Sequence, residues 1–275
     1  MGKKRRFFKR NTLVYLVIFT ICGNFLVQAE QDWRTRNSHH FIVYYKNSSH
    51  RFLDRLINKA EDSYRTITQD LGFSRDEPWV WKKRALIYVY DTKDEYLENS
   101  DRPEWSVGFA RPCEKTVYTY SDSYDFLKDV LVHELTHLIL REFIGSAKVP
   151  LWFEEGVATY MERKKDASTH VSKMRTLVKE ARFIGFDDFL RLKMEDMGGE
   201  RNLHDALQGQ NLVERFYLQS FSVIYFLFEE YKKYKFLDLL RKIKKEGSFD
   251  GAFFKVYRVF RDEKDLERQW VEFYR

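Results

Sequence analysis

The sequence predicts an α+β chain of two lobes, with strands confined to its first half and helices filling its second. Three observations carry that expectation. Runs rich in β-branched and aromatic residues, HFIVYY at 40–45 and ALIYVY at 85–90, stop well before the middle of the 275 residues. From Leu212 onward the apolar residues form long helical stretches such as 216–228. Hydrophobic residues make up 44% and aromatics 17%, against only 12 Gly and 4 Pro, which excludes a disordered, collagenous or low-complexity chain. Within this frame residues 30–145 read as an N-terminal mixed α/β lobe and 146–275 as a C-terminal helical lobe.

The first segment reads as an address. KKRRFFKR at 3–10 leads into residues 13–27, which are apolar apart from Thr20, Gly23 and Asn24. Val27, Gln28 and Ala29 then place small or modest residues before a signal-peptidase cut. Fifteen residues span roughly 22 Å as a helix, short of the ~30 Å hydrocarbon core. A signal peptide over 1–29, cleaved after Ala29, is therefore favoured over a membrane anchor through 11–29. Both readings export the remainder to a periplasmic or extracellular space, because the positive end stays inside. A membrane is a partner only if the segment stays uncleaved. Cys22 follows Ile21 rather than a small residue, which argues against lipidation. Only Cys113 remains after cleavage, so no intrachain disulfide is available.

The same segment explains the charge. The chain carries a formal +6, but six of its 48 basic residues precede Glu30 and no acid does. The rest balances 42 basic against 42 acidic residues, which removes the reason to expect a nucleic acid partner.

Along the mature chain, 40–45 is a strand ending at the turn-like Asn47-Ser48-Ser49. Phe52, Leu56, Ala60, Tyr64, Ile67 and Leu71 recur at helical spacing, with Gly72 as C-cap. After the strand at 85–90, Asp91 and Thr92 cap a short helix. Pro103 and Gly108 bracket a loop, and 107–110 with 116–120 reads as a strand pair. Residues 121–143 form a helix with Asp122 and Asp125 near its start, and Pro150 begins another. The polar region 163–211, with Gly198, Gly199 and Gly209, reads as short helices and loops. From Leu212 the chain is helical, broken at Gly247-Ser248; the basic run 232–245 is a solvated face.

Inside the helix at 121–143 stands His133-Glu134-Leu135-Thr136-His137. Residues four apart share a helix face, so both imidazoles can converge on one ion. Glu134, offset by about 100°, is within reach of a water held there. Two imidazoles leave a catalytic zinc one protein ligand short, and Glu is a standard third. The helix from Pro150 offers Glu154 and Glu155. The site predicts one Zn²⁺ per chain. His39, His40, His50, His170 and His204 lack partners at ligand spacing and read as structural; Cys113 is a soft ligand only if the pentad fails.

HELTH followed by LWFEEGVATY resembles the gluzincin metallopeptidases, above all the bacterial exported peptidase MA-like proteins with their Trp-x-x-Glu-Gly second helix. The resemblance implies a thermolysin-like zincin fold, in which Glu155, directly before Gly156, is the third zinc ligand and Glu154 a solvated neighbour. WSVGFA at 105–110 resembles the family's edge strand lining the cleft, and YLQS at 217–220 a stretch of its helical lobe. One departure is Thr159, four after Glu155, where related enzymes often carry an acid. The chemistry implied is peptide hydrolysis. Zinc polarises the scissile carbonyl and acidifies its water, and Glu134 takes the proton and passes it to the leaving amine. Tyr217 sits in an aromatic-rich run where packing is the simpler role; as a catalytic residue it is the candidate donor to the oxyanion. Residues 107–110 offer backbone to an extended peptide. No acidic cluster stands ready for a substrate's α-ammonium, so an endopeptidase acting on a peptide or protein is expected. The alternative is a catalytically silent zincin-fold binding or assembly protein of the cell envelope. The complete set His133, Glu134, His137 and Glu155 favours the enzyme.

Overall fold

The computed structural model describes residues 33–73, 79, 83–197 and 212–275. The expected signal segment, Cys22, Gly198, Gly199, His204 and Gly209 lie outside the described residues.

Strand β1 (Arg34–Asn37) pairs antiparallel with β2 (Phe41–Tyr45), which runs parallel to β3 (Ala85–Tyr90). Strand β4 (Gly108–Arg111) is antiparallel to β5 (Thr116–Tyr120), and β5 lies parallel to β3. Among the described residues this gives one five-stranded sheet in the order β1-β2-β3-β5-β4, with β4 at an edge. The polar RTRN of β1 carries no apolar alternation, so its strand is visible only through its pairing.

The period of two decides which face is covered. Phe41, Val43, Ala85, Ile87, Val89 and Val117 are fully buried on one side. Helix α1 (His50–Leu71) buries Phe52, Leu53, Leu56, Ala60 and Ile67 in the same core. Side chains of this size contribute roughly 1.5–3 kcal/mol each on full burial. Ser49 starts α1 by accepting from the Phe52 N–H at 3.2 Å. Thr92 caps α2 (Lys93–Ser100) in the same way through the Glu95 N–H at 3.1 Å, as the sequence predicts. On the opposite face Tyr44, Tyr88, Tyr118 and Phe109 occupy one cross-strand row. Their rings stack at centroid spacings of 4.6, 5.5 and 5.0 Å. Such cross-strand pairs reinforce the register that ends at β4.

The helix expected over 121–143 differs at its start. Asp122 takes φ +58°, and residues Phe126–Val130 form a π-helical turn before α3 (Leu131–Ile144). The wider turn buries Phe126 and Leu127 while Val130 reaches a cleft wall. Then follow α4 (Leu151–Arg163), α5 (Ala167–Lys179), α6 (Phe186–Phe189) and α7 (Met194–Met197). The polar stretch thus holds a full helix, because Val171, Met174, Leu177 and Val178 give α5 one buried stripe. After α8 (Leu212–Glu246) come α9 (Asp250–Val256) and α10 (Glu263–Tyr274). The backbone leaves helical geometry inside α8 at Lys232 (φ 62°, ψ 152°), a break unmarked by Gly or Pro and additional to the expected one at Gly247. Beyond it Lys233, Lys244 and Lys245 are exposed while Phe236, Leu239, Leu240 and Ile243 are buried. No described helix is long and apolar enough to cross a membrane.

Candidate active site

Helix α3 is held by Leu131, Leu135, Leu138 and Leu140, each at most 2% exposed. That anchorage leaves His133 and His137, four apart, half-buried on the side facing α4. Helix α4 is anchored by the buried Trp152 and Phe153, which places Glu155 inward. Gly156 lets α4 approach α8: a Cβ there would lie 2.6 Å from the Ser220 carbonyl oxygen and 2.8 Å from Ile224 Cγ1. The Glu-Gly pair thus brings Glu155 toward the helix that bears Tyr217.

The three expected ligands converge. Glu155 Oε2 lies 3.2 Å from His133 Nε2 and 3.7 Å from His137 Nε2. One donor atom from each of His133, His137 and Glu155 fits within 4.8 Å of the others. Donors around a tetrahedral ion with bonds of about 2.0–2.2 Å sit roughly 3.4 Å apart, so this His₂Glu set fits a zinc ion while leaving a fourth position open. Cys113 is exposed in the β4–β5 connection and belongs to no such cluster among the described residues.

Each imidazole has a second carboxylate behind it, and each carboxylate an arginine. Glu162 Oε2 lies 3.0 Å from His133 Nδ1, and Arg163 Nη2 lies 2.6 Å from Glu162 Oε1. Glu154 Oε1 lies 3.7 Å from His137 Nδ1 and accepts from Arg141 Nε at 2.7 Å, with Arg141 Nη2 on Oε2. Glu154 is therefore not the solvated neighbour expected: its side chain is 15% exposed and ion-paired, because α3 passes close enough to present Arg141. Glu162 was not singled out from sequence at all. Two turns beyond Glu155 it is the acid that meets His133 Nδ1, and Thr159 Oγ1 is buried with no hydrogen-bond partner among the described residues.

The charges are mutually supporting. Burial works against a charge on His133, but hydrogen bonds to Glu155 and Glu162 outweigh it and push the pKa up to about 9. Burial likewise opposes charge on His137, where Glu154 and Glu155 prevail and raise its pKa well above the ordinary value. Against its own burial, Glu155 is held far below the usual carboxylate range by both histidines.

Glu134 Oε2 accepts from the Ala110 N–H of edge strand β4 at 2.8 Å, which leaves the other oxygen to the cleft. Gly108 makes this fit possible, since a Cβ there would lie 2.4 Å from the Phe126 ring. Tyr217 lines the same cavity of about 740 Å³, its ring centroid 6.4 Å from that of His133. Burial, then the Glu155 and Glu134 charges, keep its hydroxyl protonated far above pH 10. His170 also lines the cavity wall, whereas His40 is structural, paired with Glu61 at 2.5 Å and stacked on Tyr64.

The family model described as the Peptidase MA superfamily matches residues 71–275. The chain belongs to the Peptidase MA superfamily. Every residue placed at the site, from His133 to Tyr217, lies inside the matched part, and β1, β2 and nearly all of α1 precede it. No curated protein is similar enough to match the chain.

Proposed function

We propose that this Peptidase MA superfamily member is an exported zinc metallopeptidase of the gluzincin type, acting as an endopeptidase on peptides or proteins. One observation carries the reading: His133, His137 and Glu155 present their donors to one point while Glu134 faces the adjoining cleft. The division at residue 145 belongs to the same proposal, the first lobe supplying His133, Glu134, His137 and the edge strand, the second supplying Glu155 and Tyr217.

His133, His137 and Glu155 are the residues that would hold zinc, which when bound supplies a Lewis acid for the scissile carbonyl and its attacking water. The remaining work falls to the protein. Glu134, tethered at Oε2 by Ala110, takes the water's proton on its free oxygen and delivers it to the amine nitrogen as the bond breaks. Tyr217, protonated throughout, donates to the oxygen that gains charge. Because the Ala110 N–H is engaged, pairing to an extended substrate falls to Gly108, whose N–H and C=O face the same way by the two-residue alternation of the β4–β5 ladder. The part of the edge at Gly108 then binds peptide by strand addition.

The deciding experiment is Glu134→Gln. Zinc content and folding are expected to persist while peptide hydrolysis falls by about 10²–10⁴-fold. Undiminished hydrolysis would refute this mechanism. A zinc-loaded wild type that cleaves nothing in a broad peptide library, yet binds the same partner as Glu134→Gln, would establish the silent binding protein instead. The exported form is expected to begin at Glu30, which N-terminal sequencing reads.

A further inference from the structure

The active-site cavity continues into a second of about 310 Å³, the two sharing Lys173, Glu214 and Leu218 on their walls. Arg215 lines this second space at 2% exposure. Its Nη1 donates to the Arg182 carbonyl oxygen at 3.1 Å, but its Nε and Nη2 are buried without a hydrogen-bond partner among the described residues. Those two nitrogens form the edge of a guanidinium that accepts an oxyanion in bidentate fashion. An arginine stays protonated even when buried, and a buried cation lacking a partner is costly. Burial, followed by the nearby charge of Arg182, lowers the Arg215 pKa from its ordinary value. Two carboxylates line the same space without answering Arg215. Glu180 is engaged by Arg182 Nη1 at 3.0 Å, and Glu214 is exposed at the shared boundary. Lys173, exposed on α5, adds a further positive group.

We propose that this side cavity is an anion subsite of the cleft, in which the Nε–Nη2 edge of Arg215, assisted by Lys173, receives a carboxylate of the substrate. The inference rests on the peptidase reading and extends it to a substrate class: peptides carrying an acidic side chain or a free C-terminus within reach of the catalytic centre. Either source supplies the same oxyanion.

The test uses the full chain in the Glu134→Gln background and three hexapeptides of otherwise identical sequence, one capped at both ends with a Glu, one capped at both ends with Gln in its place, and one with Gln and a free C-terminus. Calorimetric titration is expected to show at least about tenfold tighter binding of a peptide that offers a carboxylate, the scale of one charge-assisted pair. Preference for the Glu peptide identifies a side chain as the source, and preference for the free C-terminus identifies the chain end. Arg215→Met should bring all three affinities together, Lys173→Met should narrow the gap, and Arg215→Lys should keep part of it. If Arg215→Met does not fold, the last two variants carry the comparison. Equal affinity for all three peptides, no binding of any of them, or a preference untouched by the variants overturns the subsite. Wild type that cleaves the neutral and acidic peptides equally well overturns it while leaving the peptidase standing. An Arg215-dependent preference in a protein that cleaves nothing upholds the subsite and removes the peptidase.

Discussion

Glu162 Oε2 meets His133 Nδ1 at 3.0 Å, while Glu155 Oε2, seven residues earlier on the same helix, meets Nε2 of that ring at 3.2 Å. One imidazole is thus fixed between two carboxylates of α4. Each carboxylate accepts from one nitrogen of the protonated ring; were Nε2 to bind a metal, Glu162 would keep the remaining proton at Nδ1 and make Nε2 the better ligand.

Glu162→Ala should therefore weaken zinc binding by about 10–100-fold, as loss of such an outer partner commonly does. Competition with a chelator of known affinity measures it. The conservative Glu162→Gln, which keeps the hydrogen bond and loses the charge, should fall between. Equal affinities across the three proteins would reduce Glu162 to a partner of Arg163.

The neighbouring carboxylates should separate cleanly. Glu155→Ala removes the third of the proposed ligands and should abolish stoichiometric zinc. Glu154→Ala should retain zinc but strip Arg141 of its carboxylate, leaving it only the Ala147 carbonyl oxygen and costing about 1–3 kcal/mol of stability. Metal analysis and denaturant unfolding read the two effects, and loss of zinc in Glu154→Ala with retention in Glu155→Ala would exchange their roles.

The protonation of the site predicts how the chelator-treated protein responds to pH. His133 titrates near 9 in the folded chain and near ~6.5 when unfolded, so its contribution is complete below ~6.5 and disappears as pH rises through 9. His137 acts in the same direction. Glu155 is depressed, so its share is present above ~4.3 and fades as pH falls further. Thermal melts in chelator should peak between about pH 4.5 and 6.5 and decline toward pH 9. Zinc-loaded protein, whose ligating imidazoles are neutral, should lack that decline. A chelated protein that gains stability from pH 7 to 9 would contradict the pairing.

Gly156→Ala should destabilise by about 1–3 kcal/mol, because the added methyl meets the Ser220 carbonyl oxygen at 2.6 Å. Helix propensity alone predicts a gain of ~1 kcal/mol, so even the sign of the measured change is informative. Gly185→Ala, whose Cβ would meet nothing within 4 Å, is the control.

What could be read from the chain was local. The i, i+4 histidines and the Glu before Gly156 follow from helix geometry and from one short motif, and the strands that alternate at period two announced themselves. Glu162 was invisible because its meeting with His133 depends on how α3 and α4 cross, not on spacing within either. Glu154 was misread for the same reason, its arginine standing one helix away. Strand β1 has no apolar pattern, the π-turn uses ordinary helix formers, and Lys232 breaks α8 without Gly or Pro. Arg215 looks like any solvated helix cation until its burial is seen.

The mutual hydrogen bonding of Glu155 with His133, together with the Ala110 tether on Glu134, bears on how firmly the cluster is aimed. A carboxylate on each nitrogen of His133 and a backbone N–H on Glu134 hold these side chains in direction through contacts within the protein. Loss of either support would leave a side chain free to turn away even where every residue of the cluster is still present.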